Sequence, residues 1–492
     1  MKKNRLSTYS SLFIAGMIVL VPFFPTAVSA NSAQTWFEGT NAAGVVMMTG
    51  TESPVVVERE LLALDIPDFP PDPSYYNYYE EDRRASFDAS VSAEYSFFNP
   101  SDYTVTVRLL FPFGRLPSYI YDFSDGEEVW SDIEKYTVTA DGEPVETTVR
   151  HSLSTPYEPF LLSKDVATLH DDFYSDGTLS PETLVTRYDF HASGVDTSAY
   201  RAATVAFDTD SSFGRIYFPR LSCYRGNPDG TGRCGAGISN GRDTVSVYTI
   251  GGTLPSTFAW KIYRDGSIGD GEEIGGSMVL KQRESTTLKE FALSRKTDDS
   301  VSDADWYNAV VAEILEEEES KLFQVYMLSR FTGGLEKYLM RWYDYEITLQ
   351  PNGRLVNRVT APLYPSIDRA WSPAKYEYVY LLSPAKTWKE FGELQIEIRT
   401  PFAMTSCELQ GLEKTESGYS LTTNGLPDGE LVFTLCTVEN PTIVLSPSYY
   451  SYRRRILVVA VLVGVLVVAG TVVAVVLIRR KKSANGKRGI KP

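Results

Sequence analysis

Ser86–Phe111 reads SFDASVSAEYSFFNPSDYTVTVRLLF, and its alternation decides the fold class. Phe87, Ala89, Val91, Ala93, Tyr95 and Phe97 recur at every second position. That period places them on one face of a β-strand. Asn99-Pro100-Ser101-Asp102 is a run of turn-forming residues. Tyr103, Val105, Val107, Leu109 and Phe111 then repeat the alternation. The stretch predicts two strands paired as an antiparallel hairpin with one buried face.

The same pattern extends in both directions. Tyr136–Ala140 and Val145–Val149 flank Asp141-Gly142, a hairpin turn signal. Further strand-like runs occur at Leu184–Phe190, Ala202–Phe207, Gly214–Phe218, Thr244–Ile250, Phe258–Tyr263 and Met278–Gln282. Short strands at this spacing point to a sandwich and not to alternating βαβ units. Residues 302–342 differ. Ser302 or Asp303 can cap a helix, and Tyr307, Val310, Val311, Ile314, Leu315, Leu322 and Tyr326 follow at three- and four-residue spacing. Gly333-Gly334 suits the helix end, and Leu335–Trp342 suits a shorter second helix. Period two returns at Tyr343–Leu349, Leu355–Leu363, Tyr376–Leu382 and Leu394–Ile398, with Ser383–Phe391 as a short helix. Prolines at 67, 70, 71 and 73 make 66–82 an extended connection. The expectation is therefore a mostly β chain. Two antiparallel β-sandwich-like regions, 85–300 and 343–445, are joined by a helical segment at 301–342. An extended N-terminal segment, 31–84, precedes them, and one C-terminal transmembrane helix follows.

Ile456–Ile478 carries no charged residue and is long enough for the ~30 Å hydrocarbon core of a bilayer. Arg453, Arg454 and Arg455 precede it; Arg479, Arg480, Lys481 and Lys482 follow. At the other end, residues 1–30 have the form of a secretory signal. Lys2, Lys3 and Arg5 lead an apolar run, and Val28-Ser29-Ala30 offers cleavage after Ala30. The expected topology is type I: residues 31–452 outside, a stalk at 446–455, the span, and a basic tail at 479–492 inside. No LPxTG-like sorting motif stands upstream of the span. Ala460/Gly464 and Gly470/Ala474 are small-xxx-small pairs through which the span can self-associate.

The chain carries a formal charge of −16, and its basic residues gather at the signal and the tail, so the exported part is more acidic still. Such a surface repels phosphate polymers, which excludes nucleic-acid binding. Four cysteines are present. In an oxidising compartment the even count suggests bridges, and sequence proximity favours Cys223–Cys234 and Cys407–Cys436. The absence of an unblocked Asn-x-Ser/Thr sequon fits a bacterial cell surface.

Catalytic signals are sparse. Gly237-Ile238-Ser239-Asn240-Gly241 fits GxSxG, but a nucleophile elbow needs a strand before the serine and a helix after it, and here a strand follows. His151, His170 and His191 have no zinc-ligand spacing. Asp208 and Asp210 lack the distal Glu of a calcium loop. Glu316–Glu319 reads as a solvated acidic face. No catalytic or metal-binding residue is singled out, and no cofactor is implied. The plan resembles that of anchored bacterial surface proteins. It implies a non-catalytic binding, adhesion or assembly role toward an extracellular protein or glycan. The alternatives are a hydrolase acting on wall polymer and an accessory or sensory subunit of a membrane complex.

Overall fold

The computed structural model describes residues 41–43, 46–47, 53–70, 89–114, 136–154, 169–195, 203–210, 213–227, 231–239, 241–264, 268, 272–320 and 325–443. The described chain is mostly β, as the alternation predicts. Among the described residues no helix is long and apolar enough to cross a membrane. The expected span, its flanks Arg455 and Arg479, and the cleavage site Ala30 lie outside them.

The two strands of the opening stretch form, but they do not pair with each other. Ser90–Phe98 lies between Val56–Asp65 and Arg354–Pro362 in an eight-stranded sheet. Val105–Gly114 pairs instead with Leu339–Leu349 in a nine-stranded sheet. The turn at 99–104 is thus an arch that crosses from one sheet to the other. Two strands that each bury one face can cover one another across a sandwich; side by side they would need other elements to cover them. A second arch at Gln350–Gly353 makes the same crossing from Leu339–Leu349 to Arg354–Pro362. Asn99 locks the arches together. Its Nδ2 donates to the carbonyls of Tyr103 (2.8 Å), Gln350 (3.1 Å) and Leu349 (3.4 Å), and its Oδ1 accepts from Ser101 N at 3.0 Å. Asn352 N donates to Ser101 O at 2.9 Å, with Asn352 in the left-handed region at φ 52°.

The boundary expected near 342 therefore falls among strands that share sheets. Phe391–Arg399 also pairs in parallel with Val56–Asp65. The mixed 31–84 segment holds a central strand that alternation does not reveal, because a bulge between Val57 and Arg59 breaks its period.

Between Leu153 and Leu339 the chain builds a second layered body. A five-stranded sheet runs Ser277–Thr287, Leu184–Ser193, Thr244–Ile250, Arg215–Tyr217, Val325–Tyr326. A four-stranded sheet runs Cys223–Gly226, Gly232–Ile238, Ala203–Thr209, Trp260–Arg264. Their facing sides share a core that includes Val205, Phe207, Cys234, Val245 and Val247. The helix Asp303–Ser320 covers the other face of the five-stranded sheet, burying Trp306, Tyr307, Val310 and Ile314 with Val185, Tyr217 and Ile250. Ser302 Oγ accepts from Asp305 N at 3.0 Å, so the expected cap is present. The helix does not run on to Gly333. A short helix, Ser329–Gly333, stands apart from it, and Leu339–Trp342, expected as helix, begins a strand.

A smaller unit contains the described residues Asp368–Lys375 and Cys436–Ile443. Within it Trp371–Ser372 pairs antiparallel with Thr442–Ile443. Cys436 Sγ donates weakly to Ala374 O at 3.5 Å and Pro373 O at 3.7 Å.

Candidate functional site

Polar side chains gather in three places: inside the large sandwich, at its junction with the inserted body, and along one open strand. Inside, Glu60 is completely buried. The Val57/Arg59 bulge shifts the parity of its strand and turns Glu60 inward with Leu62 and Leu64. Tyr380 of the facing sheet donates to Glu60 Oε1 at 3.3 Å, and its hydroxyl lies 3.3 Å from that of Tyr95. Glu60 Oε2 has no hydrogen-bond partner among the described residues. Burial pushes the Glu60 carboxyl up to about 7, against the lowering influence of the Tyr95 and Tyr380 hydroxyls. Tyr345 donates to Asn357 Oδ1 at 2.8 Å, a second polar bridge between the sheets.

At the junction, Arg150 and Arg108 hold three aspartates. Asp305, 1% exposed, accepts from Arg150 Nη2 at 3.0 Å and from His151 N at 2.9 Å. Asp344 accepts from Arg108 Nε at 2.8 Å. Asp171 accepts from Arg108 Nη2 at 2.8 Å and Arg150 Nη1 at 3.0 Å. Arg108 first, then Arg150, holds the Asp171 carboxyl down to about 2, against the opposing effect of desolvation. Burial works against the Arg150 charge, yet Asp305 and Asp171 raise its proton affinity above the ordinary value. His151 is kept neutral: burial lowers its pKa to about 4, against the pull of Asp305. This network ties the helix that begins at Asp303 to the strand Thr147–Leu153.

The open strand is Ser277–Thr287. It ends the five-stranded sheet, pairing only through Leu184–Ser193 among the described strands. Most of its residues are exposed on both faces, including Val279 at 39% and Leu280 at 46%. Its register shifts between Leu280 and Gln282, which sets Lys281 in a bulge.

The residues that the sequence singles out are mostly structural. All four cysteines are free thiols. Cys223 stands opposite Gly235, and Cys234 opposite Tyr224. Neighbouring positions on paired strands face opposite ways, so the two side chains leave opposite sides of the sheet. Cys234 enters the core shared with Phe207, whereas Cys223 packs against Ala206, Tyr263 and Ile268. Register thus corrects the proximity argument for Cys223–Cys234. Cys407 Sγ donates to Leu409 O at 3.4 Å, and Cys436 keeps the carbonyl contacts already described. Neither forms the expected Cys407–Cys436 bridge.

Ser239 bridges to Arg242 in a turn between two strands, so no nucleophile elbow forms. Asp208 is held by Arg233 at 2.5 Å and Lys261 at 2.8 Å. His191 lies 3.5 Å from Asp243, and His151 lies 4.0 Å from Asp305. Of the acidic run only Glu319 is exposed; the other three carboxylates are engaged. Glu317 accepts from Met327 N (2.7 Å) and Leu328 N (2.8 Å), Glu318 pairs with Arg215 (2.7 Å), and Glu316 pairs with Arg330. Glu313, one turn earlier and 1% exposed, accepts from Arg330 N (2.8 Å) and Phe331 N (2.9 Å). The run clamps the segment that leads back to the sandwich. Among the described residues no group of three or more His, Cys, Asp or Glu stands together to hold a metal ion.

No family model and no curated protein matches the chain. Among solved structures, the crystal structure of a "putative nutrient binding protein" from Legionella pneumophila subsp. pneumophila str. Philadelphia 1 is similar at 9% identity, with a TM-score of 0.30 over 81% of this chain and 71% of that one. A likeness at that level bears on neither fold nor ligand.

Proposed function

We propose that this protein is a surface-anchored, non-catalytic binding or assembly module, exported by residues 1–30 and held by Ile456–Ile478 with 31–452 outside the cell. The partner is an extracellular protein or glycan. The observation that carries the reading is the Ser277–Thr287 strand. Among the described strands it keeps an unpaired edge, and it exposes Val279 and Leu280. An open edge offers main-chain donors and acceptors to an extended segment, and the exposed side chains supply selectivity. The Lys281 bulge limits indiscriminate edge-to-edge pairing. The small-xxx-small pairs of the span give the anchored protein a route to self-association.

The test uses full-length protein in detergent, immobilised and exposed to isolated surface proteins and to wall glycan of its own cells. Specific retention that is lost in Leu280→Asp supports the reading. Turnover of wall fragments by the purified protein, or retention that Leu280→Asp leaves unchanged, overturns it. Protease shaving of wall-stripped cells tests the topology separately, since an exported body must be cleaved from outside.

A further inference from the structure

We infer that the small ribbon Trp371–Ser372/Thr442–Ile443 is a membrane-docking surface that seats on the headgroup layer of the bilayer holding the chain. The inference rests on the proposed reading of Ile456–Ile478 as a span. Three observations within this unit carry it.

The first is chain length. The ribbon's second strand ends at Ile443, and twelve residues separate it from Ile456. At no more than ~3.5 Å per residue they reach at most about 42 Å, so the tether keeps the ribbon within reach of the lipid. The second is exposed apolar surface. Ile443 is 54% exposed and Val438 is 41% exposed. Large apolar residues this open, one on the ribbon and one on the segment leading into it, offer area to bury in an interface. The third is the chemistry of the paired strand. Lys375 Nζ lies 3.4 Å from the centroid of the Trp371 ring. Indole and lysine are the side chains that sit at the headgroup level, the ring in the interface and the ammonium toward phosphate. Cys436 holds the 373–374 backbone through its carbonyl contacts, which keeps the Trp371 turn in place. Tyr449, Tyr450, Tyr452 and Arg453–Arg455 continue the same interfacial composition toward the span.

The experiment places the full-length protein in vesicles of phosphatidylcholine and phosphatidylglycerol, with lipids brominated near the headgroup as quenchers. The seven tryptophans are separated by comparing wild type with Trp371→Phe. Expected is lipid-dependent quenching that mostly disappears in Trp371→Phe and weakens in Val438→Ser/Ile443→Ser, which keeps the indole. Co-flotation with the vesicles stays unchanged in both variants. If the proteins co-float but quenching is the same with and without Trp371, docking is refuted and the anchor stands. Shielding of Trp371 from aqueous iodide without lipid quenching means that a protein partner or second copy covers the ribbon, which also refutes docking. Failure to co-float overturns the anchor, and the inference falls with it.

Discussion

Replacing Glu60 by Gln should change how stability depends on pH. Glu60 is fully buried between the sheets, and its carboxyl is raised from an ordinary 4.5 to about 7. The folded state therefore holds its proton more tightly than the unfolded chain does. Stability linked to that proton is fully present below pH 4.5 and is lost as pH rises to about 7. With ~1.4 kcal/mol for each pH unit between the two values, the loss is about 3 kcal/mol. Above pH 7 the difference is constant. Glutamine keeps the shape and an acceptor for Tyr380 but cannot ionise. Its amide adds a fixed penalty for burying a donor, which shifts the curve without tilting it. His151 acts in the opposite direction. Its pKa is lowered to about 4 by burial, so its contribution is lost as pH falls from 6.5 toward 4. That term is common to both proteins and cancels in their difference. The measurement is the urea-unfolding free energy of each protein at half-unit steps from pH 4.5 to 8.5. Wild type minus Glu60→Gln should fall by about 3 kcal/mol across pH 4.5–7 and then level off. Parallel curves would show that Glu60 is hydrated or ionised in the folded protein and would refute the reasoning.

Asp305→Ala should cost about 1–3 kcal/mol, because it removes the acceptor shared by Arg150 Nε, Arg150 Nη2 and the His151 amide, while Asp171 still holds Arg150 Nη1. A denaturant midpoint shift without a change in m-value checks this. Asn99→Ala removes the donor that three arch carbonyls share and should cost about 1–3 kcal/mol by the same assay, with Asn99→Asp no better. Four thiols should titrate in denaturant without reductant, and in the folded protein Cys234 should react slowest, since burial pushes its thiol up to about 12. Two equivalents or fewer in denaturant would mean a bridge, and mapping it to Cys223–Cys234 would contradict the register.

Local rules were legible where one face of one element decides the outcome. Val91, Ala93, Tyr95 and Phe97 are all fully buried, as their spacing requires. The Ser302 cap and the Asp141-Gly142 turn, with φ of 51° and 85°, are also where their residue types place them. What alternation does not encode is the partner. It reports that a strand buries one face, and an arch and a hairpin satisfy that equally. Asn99 is the discriminating residue, since its three carbonyl contacts come from two chain segments about 250 positions apart, beyond any local window. Glu60 escaped for a different reason. One extra residue in its strand moves a charged type to an inward position, and a pattern scan then reads the whole segment as irregular. Glu313 and Glu317 look solvated by composition because the backbone amides they cap lie on a segment ten to eighteen residues later.

The path of the chain shows how the inserted body is joined to the large sandwich. Leu153 and Leu339 are register partners, and Ser154 N donates to Tyr338 O at 2.8 Å. The polypeptide thus leaves the large sandwich and returns to it at adjacent points of one sheet. The joint is more than that strand pair: Leu153 and Leu339 share the core beneath the helix Asp303–Ser320, and Asp171 of the inserted body holds Arg108 on Val105–Gly114. Arg150 sits on the strand beside the exit and grips Asp305 on the first turn of the helix that backs the five-stranded sheet. The charge pair adds to the apolar packing there, because its hydrogen bonds fix direction as well as distance. The helix Asp303–Ser320 then passes that direction to the sheet whose last strand is Ser277–Thr287.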